Sequence, residues 1–127
     1  EPLFRSESCG VVINLSSVAG QRGAPYMSHY AAAKAGIENL TRSLAIEWAD
    51  RDVRVTCIAP GYVATPGVER QMGVSADEID RETVDRRVGE SREIADLARF
   101  LASDAASYVN GETVVAQGVP PGEDLPS

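Results

Sequence analysis

Apolar and polar positions follow two different periods along the chain, and the places where the period changes divide it into strands and helices. The run from Gly10 to Ser16 (GVVINLS) is β-branched and apolar at nearly every position, as expected of a strand buried on both faces of a parallel sheet. Small residues from Ser17 to Pro25 then predict a loop. From Ser28 to about Asp50 the apolar residues Ile37, Leu40, Leu44 and Trp48 recur at intervals of three and four, while Ala31, Ala32, Ala33, Ala35 and Gly36 keep the first turns slim. This spacing predicts one long helix able to pack closely against a sheet or a second helix. Arg54 to Ala59 (RVTCIA) reads as a second strand, stopped by Pro60-Gly61 because proline lacks a ladder donor and glycine frees the turn. Ser75-Ala76-Asp77-Glu78 has the form of a capping box and predicts a charged surface helix to about Arg87. Another helix is expected after Ser91, carried by Ile94, Leu97, Ala98 and Leu101. A final short strand follows from Glu112 to Gln117, and the Pro- and Gly-rich tail from Gly118 to Ser127 is expected to be loose.

Strand, helix, strand implies a right-handed parallel crossover. The full order, β, α, β, charged insertion, α, β, is that of a doubly wound α/β fold with a parallel sheet, but with about three strands it amounts to the C-terminal half of one. A chain of 127 residues is the size of one domain, and residues 1–127 are read as a single unit. The opening Glu1-Pro2-Leu3-Phe4-Arg5 has no initiator Met and reads as the tail of a helix, so a fragment is expected.

A hydrophobic fraction of 43% and a charged fraction of 24% are ordinary for a globular protein, and no apolar run reaches membrane-spanning length. The net charge of −7 and a pI near 4.6 argue against nucleic-acid binding, since basic residues are not gathered on any stretch. Cys9 and Cys57 have neither CxxC spacing nor a neighbouring His, so no disulfide framework and no metal site are expected, and both read as cytoplasmic thiols. No export signal opens the chain.

Candidate chemistry gathers at Tyr30 and Lys34, four apart on one predicted helix and hence on one face. A free phenol has a pKa of about 10, too high for a general base at neutral pH, and a fixed ammonium nearby favours the phenolate. As a bare pattern YxxxK arises by chance in many helices, with the ring on the surface beside a solvated lysine. Two features add weight. Lys34 is the only lysine among the twelve basic residues, and an ammonium is a compact charge with rotatable donors that a guanidinium replaces poorly. Ser17 lies thirteen residues before Tyr30, just after a predicted strand, where open α/β sheets bind ligands. His29 stands beside Tyr30 but points about 100° away on the helix, and no catalytic role is expected for it.

Three ordered segments carry a resemblance: Asn14-Leu15-Ser16-Ser17-Val18-Ala19-Gly20, then Tyr30-Ala31-Ala32-Ala33-Lys34-Ala35-Gly36, then Ile58-Ala59-Pro60-Gly61-Tyr62-Val63-Ala64-Thr65. Together with Phe100 to Asp104 and Tyr108 to Glu112, they resemble the short-chain dehydrogenase/reductase family, in its compact oxoacyl-reductase-like branch, from about Gly10 through Gly118.

The resemblance implies an NAD- or NADP-dependent oxidoreductase acting on a small carbonyl or alcohol substrate. In it Tyr30 gives or takes the proton, Lys34 holds the nicotinamide ribose and lowers the tyrosine pKa, and Ser17 orients the carbonyl. It further implies that the backbone around Pro60, Gly61 and Val63 lines the nicotinamide, that Thr65 reaches its carboxamide or phosphates, and that Asn14, Leu15 and Ser16 form the cofactor-side floor. Pro25, Tyr26 and Met27 border the substrate or simply shape their loop. Val68, Met72 and Val74 fall where the family keeps a substrate lobe, with plain surface covering as the other reading. Trp48 and Leu44 serve helix packing or a subunit contact, in keeping with a homodimer or homotetramer. The family's glycine-rich phosphate loop and its NAD/NADP-selecting residue lie upstream of this chain, and Ala116-Gln117-Gly118 stands where many relatives have Asp-Gly-Gly. Two other readings follow from the same residues. A sugar epimerase or dehydratase of the extended branch shares YxxxK but normally has a much longer C-terminal domain. A truncated or purely oligomerising half would carry no catalysis.

Overall fold

The computed structural model describes residues 10–66, 70, 73, 80–84 and 88–119. Three parallel strands, β1 (Gly10–Leu15), β2 (Val53–Pro60) and β3 (Thr113–Ala116), form a sheet in the order β1-β2-β3. The register aligns Asn14 with Cys57 and Ile58 with Val114. Between β1 and β2 run a short helix, α1 (Ala19–Arg22), and a long one, α2 (Ser28–Glu47), followed by a 3-10 turn at Ala49–Arg51. Between β2 and β3 runs α3 (Ser91–Ala102), followed by a second 3-10 turn at Asp104–Ala106.

Successive strand residues point to opposite faces, and the two long helices divide those faces between them. Ile13 packs with Ile58, Val114 and Leu101 against α3, whereas the neighbouring Asn14 bonds to Thr41 of α2. Helices on both faces of a parallel sheet make this an α/β, doubly wound arrangement. The core on the α3 side is centred on Ile58, Leu101 and Ala106, with Ile94, Leu97 and Ala98 against it, so the predicted apolar positions of this helix are the ones that pack. Its start is fixed by a capping box that the sequence did not announce: Glu90 receives the Glu93 backbone, and the Glu93 carboxylate accepts the Glu90 N–H at 3.0 Å.

Four expectations are corrected. β1 is half-buried from Gly10 to Asn14 and Leu15 is 53% exposed, because β1 is the edge of the described sheet and has a strand neighbour on one side only. The stretch from Ser17 to Pro25 is not all loop, since its small residues wind into α1. In α2 the buried row is Ala31, Thr41 and Ala45, while Leu40 of the apolar stripe is 50% exposed. Small side chains allow the closest approach to the sheet, and the hydroxyl of Thr41 is satisfied there by donating to the Ile37 carbonyl and accepting from Asn14. Finally, Asp80 to Val84 is turn and not helix: the Asp80 carboxylate accepts the Glu82 N–H and the Thr83 hydroxyl at 3.0 and 2.8 Å, a local bond that competes with helix. The Ser75–Glu78 capping box, Val68, Met72, Val74, Cys9 and residues 120–127 lie outside the described residues.

One side chain closes the sheet's backbone account beyond β3. Asn110 Oδ1 accepts the N–H of fully buried Val55 at 2.9 Å, one residue before the Gly111 N–H donates to the Val55 carbonyl at 2.8 Å. Asn110→Ala strands that buried donor and should destabilise the fold by about 1–3 kcal/mol, read as a lower urea midpoint at unchanged slope.

Candidate active site

The carboxyl ends of β1 and β2 open into a cleft of about 780 Å³, within the range of small-molecule sites. Its position follows from the topology. In a parallel sheet with helices on both faces, the chain leaves adjacent strands toward opposite faces, and a crevice forms where they part. One wall is Ser16 to Ala19, held by Ser16 N–H to the Ile58 carbonyl at 2.8 Å and Val18 N–H to the Pro60 carbonyl at 3.1 Å. The facing wall is Pro60 to Val63. That wall is tied down as well: Gly61 N–H donates to Ala116, and a bridge between Val63 and Gly89 fixes the turn that follows. A Cβ on Gly61 would stand 2.8 Å from the Gln117 Cβ, so glycine is what lets this turn lie against the end of β3.

Five hydroxyl-bearing residues, Ser16, Ser17, Tyr30, Tyr62 and Thr65, are in the lining of this cleft, together with Pro60, Gly61 and Val63. Tyr30 lies in the first turn of α2 and is 38% exposed. One turn on, the Lys34 ammonium sits 5.4 Å from the centre of the Tyr30 ring, and among the described residues it makes no ion pair. Its charge is therefore available to the phenol and to a ligand, in accord with the four-residue spacing. The Ser17 hydroxyl accepts the Ala19 N–H at 3.2 Å, which starts α1 and leaves its own proton to donate.

Other sequence candidates are placed differently. Ser16 is buried, and its hydroxyl donates to Glu38 at 2.9 Å, where the Gln21 amide also donates at 3.1 Å. Asn14 is engaged with Thr41, and neither it nor Leu15 lines the cleft among the described residues. Pro25 and Met27 do line it, whereas Tyr26, at φ 66, is fully exposed outside it. His29 is exposed and away from it. The sequence reading missed three participants. Arg22 and Tyr62 line the cleft, and Glu38 clamps the β1 end and α1 onto α2. The Tyr30, Lys34, Glu38 series at i, i+4 and i+8 was the available signal for Glu38.

The family model described as enoyl-(acyl carrier protein) reductase matches residues 1–118. The chain belongs to the short-chain dehydrogenase/reductase family. It is 46% identical over 110 residues to an uncharacterized short-chain type dehydrogenase/reductase of Sinorhizobium fredii, covering 84% of this chain and 20% of that protein. It is 39% identical over 117 residues to the 3-oxoacyl-[acyl-carrier-protein] reductase of Chlamydia trachomatis, covering 92% and 47%. Among solved structures, a putative NAD(P)-dependent gluconate 5-dehydrogenase from Beutenbergia cavernae with bound NADP superposes with a TM-score of 0.72 at 37% identity, over 87% of this chain and 45% of that one. The chain thus spans less than half the length of these relatives. No helix among the described residues is long and apolar enough to cross a membrane, and no His, Cys, Asp and Glu cluster among them could hold a metal.

Proposed function

We propose that the chain is the catalytic, C-terminal part of an NAD(P)-dependent oxidoreductase that interconverts a carbonyl and a secondary alcohol, with 3-oxoacyl thioesters among its candidate substrates. The observation that carries the reading is the convergence of Ser17 and Tyr30 on one cleft at the strand ends, with the Lys34 ammonium against the Tyr30 ring.

The residues present fit the nicotinamide end of such a cofactor. The cleft offers an apolar surface from Val18, Pro60 and Val63 to a flat ring and hydroxyl-bearing residues to a ribose and a carboxamide, and the Lys34 ammonium, not itself in the lining, sits 5.4 Å from the centre of the lining Tyr30 ring. In this reading Pro60, Gly61 and Val63 line the ring, Thr65 reaches the carboxamide or phosphates, and Lys34 holds the ribose. Asn14, Leu15 and Ser16 support the floor, Asn14 and Ser16 through their bonds to α2. When bound, the reduced nicotinamide supplies the hydride that reduces the carbonyl carbon and is itself oxidised. Ser17 donates a hydrogen bond to the carbonyl oxygen and holds it beside the phenol. Tyr30 delivers its proton to that oxygen as negative charge develops there, and the Lys34 charge stabilises the phenolate left behind. The alcohol is oxidised by the reverse steps.

A homodimer or homotetramer belongs to the same reading, supported by the exposed Leu40 and Ile46 of α2. A cytoplasmic setting is supported by the free, buried thiol of Cys57. Titration of NADH and NADPH fluorescence with this chain, and with a version extended upstream through a phosphate-binding half, tests the proposal. The extended protein should bind one or both nucleotides and the 127-residue chain should bind neither well. An extended protein that binds neither overturns it.

A further inference from the structure

Among the described residues lining the cleft, Arg22 is the only one with a charged side chain. The rest of the lining is apolar or carries neutral hydroxyls. Arg22 is in no ion pair among the described residues, although acidic residues outnumber basic ones, 19 to 12. Its direction follows from its neighbours on α1. Gly20 is pressed on the backbone of Lys34 and Ala35, and Gln21 is bonded to Glu38, so these two residues face α2. The next residue, turned by about 100°, faces the cleft.

We infer that Arg22 selects the substrate: the cleft takes a carbonyl or alcohol that bears an anionic group, a carboxylate in the first instance, a few bonds from the reacting carbon. This rests on the reading above that Ser17 and Tyr30 hold the reacting oxygen. Ser17 lies just before α1 and Arg22 is its last residue, so the two stand at opposite ends of a helix of about one turn, roughly 5 Å long. A short β-keto carboxylate can lie between the two side chains, with its ketone at the Ser17 hydroxyl and its carboxylate toward the Arg22 guanidinium. The guanidinium can meet a carboxylate with two parallel N–H donors, a geometry matched to the planar anion. Against the net charge of −7, which repels anions at long range, the exposed cation on the cleft wall is the local element that reverses the preference.

The test uses the upstream-extended reductase loaded with its nicotinamide cofactor, and two probes of nearly equal shape, acetoacetate and methyl acetoacetate. The readout is the ratio of kcat/KM for the carboxylate to that for the ester, together with the ratio of their calorimetric Kd values, which does not depend on turnover. The wild type should favour the carboxylate. Arg22→Gln should lower both ratios by about tenfold or more, the scale of one charge-assisted hydrogen-bonded contact, and Arg22→Lys should fall between. Arg99→Gln, which removes the same charge from the exposed side of α3, should leave both ratios unchanged. A wild type that favours the ester, a flat ratio in Arg22→Gln, an equal fall in Arg99→Gln, or a lysine variant no better than glutamine each overturns the inference. Tyr30→Phe keeps the two levels apart. If it stops turnover of both probes, a flat Arg22→Gln ratio counts against Arg22 alone. If it keeps full turnover, the catalytic reading beneath is wrong.

Discussion

Tyr30→Phe is expected to lower turnover of the extended enzyme by about two to four orders of magnitude, the usual contribution of a positioned general acid or base, while leaving nicotinamide binding nearly unchanged. The asymmetry comes from what the substitution removes. Phenylalanine keeps the ring in the first turn of α2 and the ring face near the Lys34 ammonium, and it loses one hydroxyl at a partly exposed position. Little stability is at stake, because that hydroxyl makes no hydrogen bond among the described residues that folding would forfeit. A fall in kcat with a constant cofactor Kd therefore isolates the proton-transfer role. An enzyme that keeps its turnover has its acid elsewhere.

How far the sequence reveals this molecule depends on which force sets each feature. The strands around Val12, Val55 and Val114 and the α3 stripe from Ile94 to Leu101 were legible because burial of branched and long apolar side chains decides them. So was the Tyr30–Lys34 pair, since helical spacing alone puts both on one face. The sheet-facing row of α2 was not, because closeness and not hydrophobicity selects it: Ala31, Thr41 and Ala45 sit inside while Leu40 faces out. Helix α1 was hidden for a similar reason. Four residues, Ala-Gly-Gln-Arg, have no room for a periodic signal, and what winds them is the Ser17 hydroxyl at one end and contacts with α2 on one side. With α1 unread, Arg22 was unreadable too, and although helical spacing puts Glu38 on the face of Tyr30 and Lys34, its bonds to Ser16 and Gln21 depend on which way α1 turns its residues. The stretch from Asp80 to Val84 shows the converse, where a local side-chain bond defeats a charged pattern that reads as helix.

The same short helix carries the second large effect. A Cβ added at Gly20 would stand 2.8 Å from the Ala35 nitrogen, 2.9 Å from the Lys34 carbonyl carbon and 3.0 Å from the Lys34 Cβ. Two of these are backbone atoms of a regular helix, which cannot swing aside as a flexible side chain can, so in Gly20→Ala it is α1 that must retreat. Ser17 goes with it, since its carbonyl accepts the Gly20 N–H at 2.9 Å and its hydroxyl starts the helix. Overpacking of this kind should destabilise the fold by about 1–3 kcal/mol. The retreat should also cost activity out of proportion to stability, because a displacement of about 1 Å between reacting groups can lower a rate about a hundredfold. Gly36 supplies the internal control on the same helix that Gly20 touches: nothing lies within 4 Å of its Cβ position, and alanine there should stabilise α2 by about 0.5–1 kcal/mol through its better helix propensity. Thermal unfolding and kcat of the two variants should therefore move in opposite directions for stability, with activity lost in only one. If Gly20→Ala keeps its kcat, the contact between α1 and α2 is packing alone and Ser17 is positioned by β1 without it.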